Sequence, residues 1–318
     1  MTPSPRADAR ATEEGSAASR PHRAPPNPSH ATLGAVAYPV RFGIKLNQSH
    51  HPIDVHRDAW RMAEDAGFDH IWGYDHLFAL GPDPTKPIFD GWTILGAIAL
   101  ATKRVRIGLN VTGNLYRHPG LLAKIAVTVD HLSNGRLDFG IGAAWNEPEF
   151  KQHGTPFPSA ADRIRMLSES IRAIKLLWTE PLATFEGRFY QFAGAIAEPK
   201  PIQKPHPPIW IGGSGPKRTM RVVARHADVW NSAAGTPEEM RARLDVLAEH
   251  CAKAKRDPAT IRLSHNLRID DADAALKQIE ASRKLGYSDF LVFPGQGGDL
   301  RKGTEAAAKV LPRLRQVG

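Results

Sequence analysis

The chain has 318 residues, 42% of them hydrophobic, with a formal net charge of +9 and one cysteine, Cys251. That length supports one large core or two small ones, and a lone cysteine excludes intramolecular disulfides and cysteine-based metal clusters. The positive charge is not gathered into a run of five Lys or Arg, and no apolar run approaches the roughly 20 residues needed to cross a bilayer, so neither a nucleic acid nor a membrane is an expected partner.

Residues 1–37 are rich in Ala, Pro, Ser and Arg, and Arg20–His30 offers no periodic apolar face. This stretch reads as a disordered N-terminal extension without an apolar leader, ahead of one domain at 38–318 and a cytoplasmic location. From Arg41 onward, short apolar runs alternate with amphipathic stretches of helical length. Strands are expected at 41–46, 69–75, 104–111, 136–142, 208–213, 227–231, 261–269 and 288–294. Helical stretches follow each strand, as in 54–67, where Val55, Ala59, Met62, Ala63 and Ala66 share a face and Gly67 suits the C-terminal end. Strict β-then-α order with eight strands predicts a parallel (β/α)8 TIM barrel of the α/β class. One connection is too long for a plain loop: after the helix at 161–178, about thirty residues precede the fifth strand, and 183–192 alternates around Glu186-Gly187 as a β-hairpin should. This inserted hairpin, between strands 4 and 5, has the length of a functional lid or of a packing flap.

In such a barrel the reacting groups belong at the C-terminal ends of the strands. The second strand ends in Tyr74-Asp75-His76, a carboxylate next to an imidazole, and His titrates in the range useful for proton transfer. The fifth strand runs into Gly213-Ser214-Gly215-Pro216-Lys217-Arg218, where backbone NH groups, a hydroxyl and two cations suit a phosphate. It is not a dinucleotide fingerprint, because it contains no G-x-G-x-x-G. His50, His51 and His56 follow the first strand, but adjacent side chains point apart on a strand, so no catalytic metal is expected.

Four blocks in order, AGFDHIWGYDHL (66–77), GWTILGAIALATKRVRIGLNVTGNLYRHPGLLAK (91–124), HLSNGRLDFGIGAAWNEPEF (131–150) and PPIWIGGSGPKRTMRVVARHADVWN (207–231), resemble the luciferase-like monooxygenase family, in its branch that uses the deazaflavin coenzyme F420. The resemblance covers nearly all of 41–235. It implies that Asp75 and His76 face the reactive ring, with His76 trading the proton. It further implies that Asn110, Val111 and Thr112 lie at a third-strand bulge with a non-proline cis peptide against the cofactor, and that Gly213, Ser214 and Gly215 hold its phosphate. Trp145 and Glu147 fall where relatives line the substrate side, Glu147 as a further catalytic candidate. The sequence departs from the family at Ala144, where a Gly-x-Gly is usual after the fourth strand.

The resemblance therefore implies an oxidoreductase transferring hydride between coenzyme F420 and a small-molecule substrate, with a homodimer as the expected assembly. An FMN-dependent monooxygenase using reduced flavin and oxygen is the alternative on the same fold. A non-catalytic flavin-binding protein is a third reading, which would keep the phosphate turn but need no proton-transfer group. The Asp75-His76 pair and the Gly-Ser-Gly-Pro turn favour the deazaflavin.

Overall fold

A strand buried on both faces must satisfy two cores at once, and the barrel strands of this chain divide their side chains accordingly. The computed structural model describes residues 38–81, 83–294 and 298–317; the expected disordered stretch 1–37 lies outside them. The strands are β1 (Arg41–Lys45), β2 (His70–Gly73), β3 (Arg106–Leu109), β4 (Thr112–Gly113), β5 (Leu137–Gly142), β6 (Ala183–Glu186), β7 (Gln191–Ala195), β8 (Ile209–Gly212), β9 (Val229–Ser232), β10 (Arg262–Arg268) and β11 (Tyr287–Phe293). The helices are α1 (Ile53–Asp65), α2 (Gly91–Ala101), α3 (Pro119–Leu132), α4 (Glu147–Gln152), α5 (Ala160–Thr179), α6 (Thr219–His226), α7 (Pro237–Lys253), α8 (Ala272–Arg283) and α9 (Leu300–Arg315).

Parallel pairing runs β3-β2-β1-β11-β10-β9-β8-β5, and a β3–β5 pairing closes the ring into the expected eight-stranded TIM barrel. Every barrel strand lies within two residues of its expected bounds. β4 is a short continuation of β3 that pairs Thr112 with Ile141 and Gly113 with Gly142. No helix among the described residues is long and apolar enough to cross a membrane.

Outward-facing Phe42, Ile44, Ile71, Ile107, Phe139 and Ile211 join helix residues such as Trp60, Ile98 and Ile171 in one buried cluster. Inside the barrel, Trp72, Trp210, Val229 and Leu291 form a separate one, with the two indoles 4.5 Å apart. Two strand glycines make room for this plug. A Cβ at Gly43 would lie 2.9 Å from Trp72 Nε1, and one at Gly108 would lie 2.4 Å from Trp72 Cζ3. Toward the strand N-termini the plug rests on a layer of polar groups: His70 Nδ1 meets Asp138 at 2.9 Å, Arg106 Nη2 donates to Asp138 at 2.7 Å, and Arg262 pairs with Asp289. Burial alone would raise the Asp138 carboxyl, but Arg106 and His70 outweigh it and hold it well below the usual carboxylate range. Toward the mouth, buried Lys45 donates to Asn110 Oδ1 at 2.9 Å and sits 4.5 Å over the Phe293 ring. Burial lowers its pKa to about 7.

The insertion is a packed flap. β6 and β7 pair antiparallel, Phe185 against Phe192, and Phe185 and Tyr190 bury themselves with Ala173 of α5. Glu169 of α5 accepts the backbone NH groups of Arg188 and Phe189 at the hairpin tip.

A Cβ at Gly140 would lie 1.9 Å from the Leu109 carbonyl oxygen, whereas one at Gly96 in α2 meets only Leu132 Cδ1 at 3.7 Å. In urea melts, Gly140→Ala is expected to cost roughly 3 kcal/mol or more, and Gly96→Ala to be neutral or stabilising by up to about 1 kcal/mol. Similar melts for both would mean that β3 and β5 do not approach this closely. For Lys45, a folded-state pKa of about 7 against ~10.4 unfolded means that the unfolded chain binds more protons across that window. Wild-type stability should therefore rise from pH 7 toward pH 10 by at most about 1.4 kcal/mol per unit relative to Lys45→Met. Parallel pH profiles for the two proteins would contradict the buried lysine.

Candidate active site

The mouth of the barrel is built from the loops after β2, β3 and β5. Asp75 and His76, adjacent in sequence, diverge in space. Asp75 is 2% exposed and accepts hydrogen bonds from Thr112 Oγ1 and from Arg117 Nη1, the latter at 2.6 Å. Arg117 also reaches Asp90, whose other oxygen accepts from Thr93 NH and caps α2. Burial raises the Asp75 carboxyl in spite of Arg117 and Thr112. This carboxylate therefore fastens the β2 loop to the β3 loop, and the expectation that it sits against the His76 imidazole is corrected by the structure.

The imidazole turns to another acid. His76 Nδ1 lies 2.6 Å from Glu149 Oε1, and Glu149 is fully buried. Tyr116 OH donates to Glu149 Oε2 at 2.5 Å, the Leu77 NH donates to the same oxygen at 3.2 Å, and Asn146 Nδ2 donates to Oε1. Burial would raise the Glu149 carboxyl, but the hydrogen bonds from His76 and Tyr116 outweigh it, so its pKa is lowered. The Tyr116 hydroxyl is pushed up by burial and by its bond to Glu149, which keeps it a donor. Glu149 therefore holds a full negative charge against Nδ1, and an acceptor there fixes the proton on Nδ1. His76 Nε2 has no hydrogen-bond partner among the described residues.

Glu147 stands two residues earlier on α4, exposed, while Glu149 points inward. Positions i and i+2 do not share a helix face, which is why one of the two carboxylates reaches the imidazole. Trp145 is 66% exposed, with its ring edge-on to His76 at 5.7 Å, so it forms one wall of the mouth. Ala144 has φ +57°, a left-handed conformation that accounts for the glycine usual at this position.

At the third-strand bulge the Asn110–Val111 peptide is cis. Val111 fills the space above two glycines: a Cβ at Gly142 would lie 2.8 Å from Val111 Cγ2, and one at Gly212 3.3 Å from Val111 Cγ1. The bulge leaves Asn110 Nδ2 buried without a partner, as is Asn47 Oδ1 after β1. An unpaired buried polar atom costs about 1–3 kcal/mol, so two at one mouth are what a polar, planar ligand would satisfy. Around the barrel, Gly213 has φ +110° and its carbonyl accepts from Trp230 Nε1 at 2.8 Å. Ser214 Oγ accepts from the Ala233 NH at 3.1 Å, which ties the turn to the β9 loop. The NH groups of Ser214 and Gly215 make no hydrogen bond among the described residues and suit an anion.

Tyr116 and Lys45 were not among the expected site residues, and Asn146 and Glu149 fell within the expected 142–149 loop without being assigned a role. Asn146 and Glu149 at i, i+3 carried a legible signal, as did Lys45, two residues beyond inward-facing Gly43.

Residues 34–312 match the sequence model of the luciferase-like monooxygenase family. An F420-dependent glucose-6-phosphate dehydrogenase from Microbacterium testaceum is 32% identical over 249 residues, covering 76% of this chain and 72% of that protein. An FMNH(2)-dependent dimethylsulfone monooxygenase from Pseudomonas putida is 30% identical over 237 residues, covering 72% and 63%. The solved structure of an F420-dependent secondary alcohol dehydrogenase in complex with an F420-acetone adduct superimposes with a TM-score of 0.76 over 87% of this chain and 99% of that one, at 19% identity. The matched span takes in every barrel strand, the bulge and the glycine turn, and the chain belongs to the luciferase-like monooxygenase family.

Proposed function

We propose that this protein is an oxidoreductase that transfers hydride between coenzyme F420 and a small organic substrate at the barrel mouth. The observation that carries the reading is the His76–Glu149 pair, a buried carboxylate on Nδ1 with Nε2 without a partner among the described residues. The F420-dependent relative supports the choice of cofactor. The orphaned Asn110 Nδ2, the ammonium of Lys45 and the NH groups of Ser214 and Gly215 would hold the ring and phosphate. Bound there, the deazaflavin supplies a carbon that accepts or donates hydride, a two-electron step.

Oxidising an alcohol releases a hydride and a proton, and Nε2 of His76 takes the proton. In the reverse direction the same atom returns it to the carbonyl oxygen. Glu149 stabilises the imidazolium that forms, much as a buried carboxylate does beside a catalytic histidine. Tyr116 and Asn146 keep Glu149 in place, and Asp75, tied to Arg117 and Thr112, braces the loop that carries His76. Trp145 and Glu147 stand on the substrate side. Exposed Leu100, Leu121 and Leu132 on α2 and α3 support a homodimer through that face.

His76→Asn is expected to lower kcat about 10²- to 10⁴-fold while changing cofactor affinity little. Glu149→Gln should fall in the same direction, with Asp75→Asn instead lowering Tm. The measurement is kcat, F420 affinity and Tm on one preparation, with a substrate found by following F420 absorbance. Unchanged kcat in His76→Asn would remove the imidazole from the mechanism. Titration with F420 and FMN side by side, then mixing of the reduced complex with oxygen, tests the cofactor. Tight FMN binding with rapid oxygen consumption would replace this reading with a monooxygenase.

A further inference from the structure

On the outside of the barrel, α5 and α6 leave a cavity of about 200 Å³ lined by Arg165 and Arg172 from α5, by Arg218 at the N-cap of α6, and by Arg221 and Arg225 within α6. The spacing is helical on both walls, i and i+7 on α5 and i, i+3 and i+7 on α6, so each helix turns one arginine face into the groove. All five side chains are exposed. Arg165 is paired with Asp162 at 2.8 Å, while Arg172, Arg218, Arg221 and Arg225 have no ion pair among the described residues. The one acid in the lining, Glu169, has its carboxylate oxygens on the hairpin NH groups of Arg188 and Phe189. Arg172 lies 5.0 Å over the Phe185 ring, which leaves Arg218, Arg221 and Arg225 as three unpartnered guanidiniums beside it; their mutual repulsion is what a polyanion would relieve.

Position says which polyanion. Arg218 ends the Gly213–Arg218 turn and also lines the groove, so the groove begins where the phosphate site stops. From Arg218, α6 carries it down the outer wall for roughly 10 Å to Arg225, at about 1.5 Å per residue. A chain leaving a phosphate on that turn would enter the groove directly. Coenzyme F420 carries such a chain, γ-linked glutamates beyond its phosphate with one carboxylate on each, whereas FMN ends at its phosphate. Arginine forks match carboxylates two bonds at a time.

We propose that the α5–α6 groove binds the oligoglutamate tail of the cofactor, a subsite that adds affinity and discriminates against FMN. This rests on the F420 reading above, and the test separates the two. Affinities of long-tailed F420 and of F420-0, which lacks the glutamates, are measured by fluorescence at low and high salt for wild type and for Arg221→Gln/Arg225→Gln. Neither residue is part of the turn or the mouth, and both are on the surface. Wild type should prefer the long tail by about 5- to 20-fold at low salt, as a few exposed ion pairs would give. The double variant and high salt should each erase that preference while F420-0 binds as before. Equal affinity of wild type for both cofactors, or a preference that survives in the variant, would overturn the subsite and leave the F420 reading standing. Failure of wild type to bind either form of F420 would overturn both.

Discussion

Everything at the mouth depends on one close approach of backbone to backbone. Gly140 of β5 sits under the carbonyl of Leu109, where no side chain has room, just beyond the Gly108–Asp138 end of the β3–β5 pairing that closes the barrel. With β3 held so low, its continuation climbs over β5 as the Asn110–Val111 bulge and lands on Gly142 and Gly212. That landing delivers Thr112 to Asp75, brings Arg117 within reach of both Asp75 and Asp90, and places Tyr116 beside Glu149. A bulkier residue at Gly140 would not merely crowd the core; it would lift the segment that assembles the site.

The two carboxylates near His76 divide the work by environment. Asp75 is buried among groups that make it a brace, and burial raises its pKa. Glu149 is as deeply buried, yet donors from four residues keep it charged and aimed at Nδ1. A charge held against one ring nitrogen leaves the other to exchange protons with whatever occupies the mouth. The barrel interior beneath is braced in a related way: the Trp72–Trp210 plug stands on Asp138, hydrogen-bonded to His70 and salt-bridged to Arg106.

The fold was legible because barrel strands leave a repeated mark: eight short apolar runs, each followed by a helical stretch, with a turn-bounded alternation for the hairpin. The glycines of β1, β3 and β5 are also visible in sequence, but their purpose is not, since it depends on an indole and a carbonyl from other strands. In the site, the bulge at Asn110–Val111 and the turn at Gly213–Gly215 stand where the family blocks imply. The partner of His76 was not readable, because adjacency in sequence favoured Asp75, whereas strand geometry sends neighbouring side chains apart. Glu147 and Glu149 were equally acidic in sequence, and only the pitch of α4 separates the exposed one from the buried one.

On this reading the deazaflavin binds at the mouth, over the His76–Glu149 pair. Amide hydrogen exchange on the full chain, with and without oxidised F420, tests it most directly. Exchange should slow in the loops around 47–51, 110–117, 143–149 and 213–218, with the opposite end of the barrel unchanged. Protection confined to the strand N-terminal end or to the outer helices, with those four loops exchanging as freely as before, would contradict it.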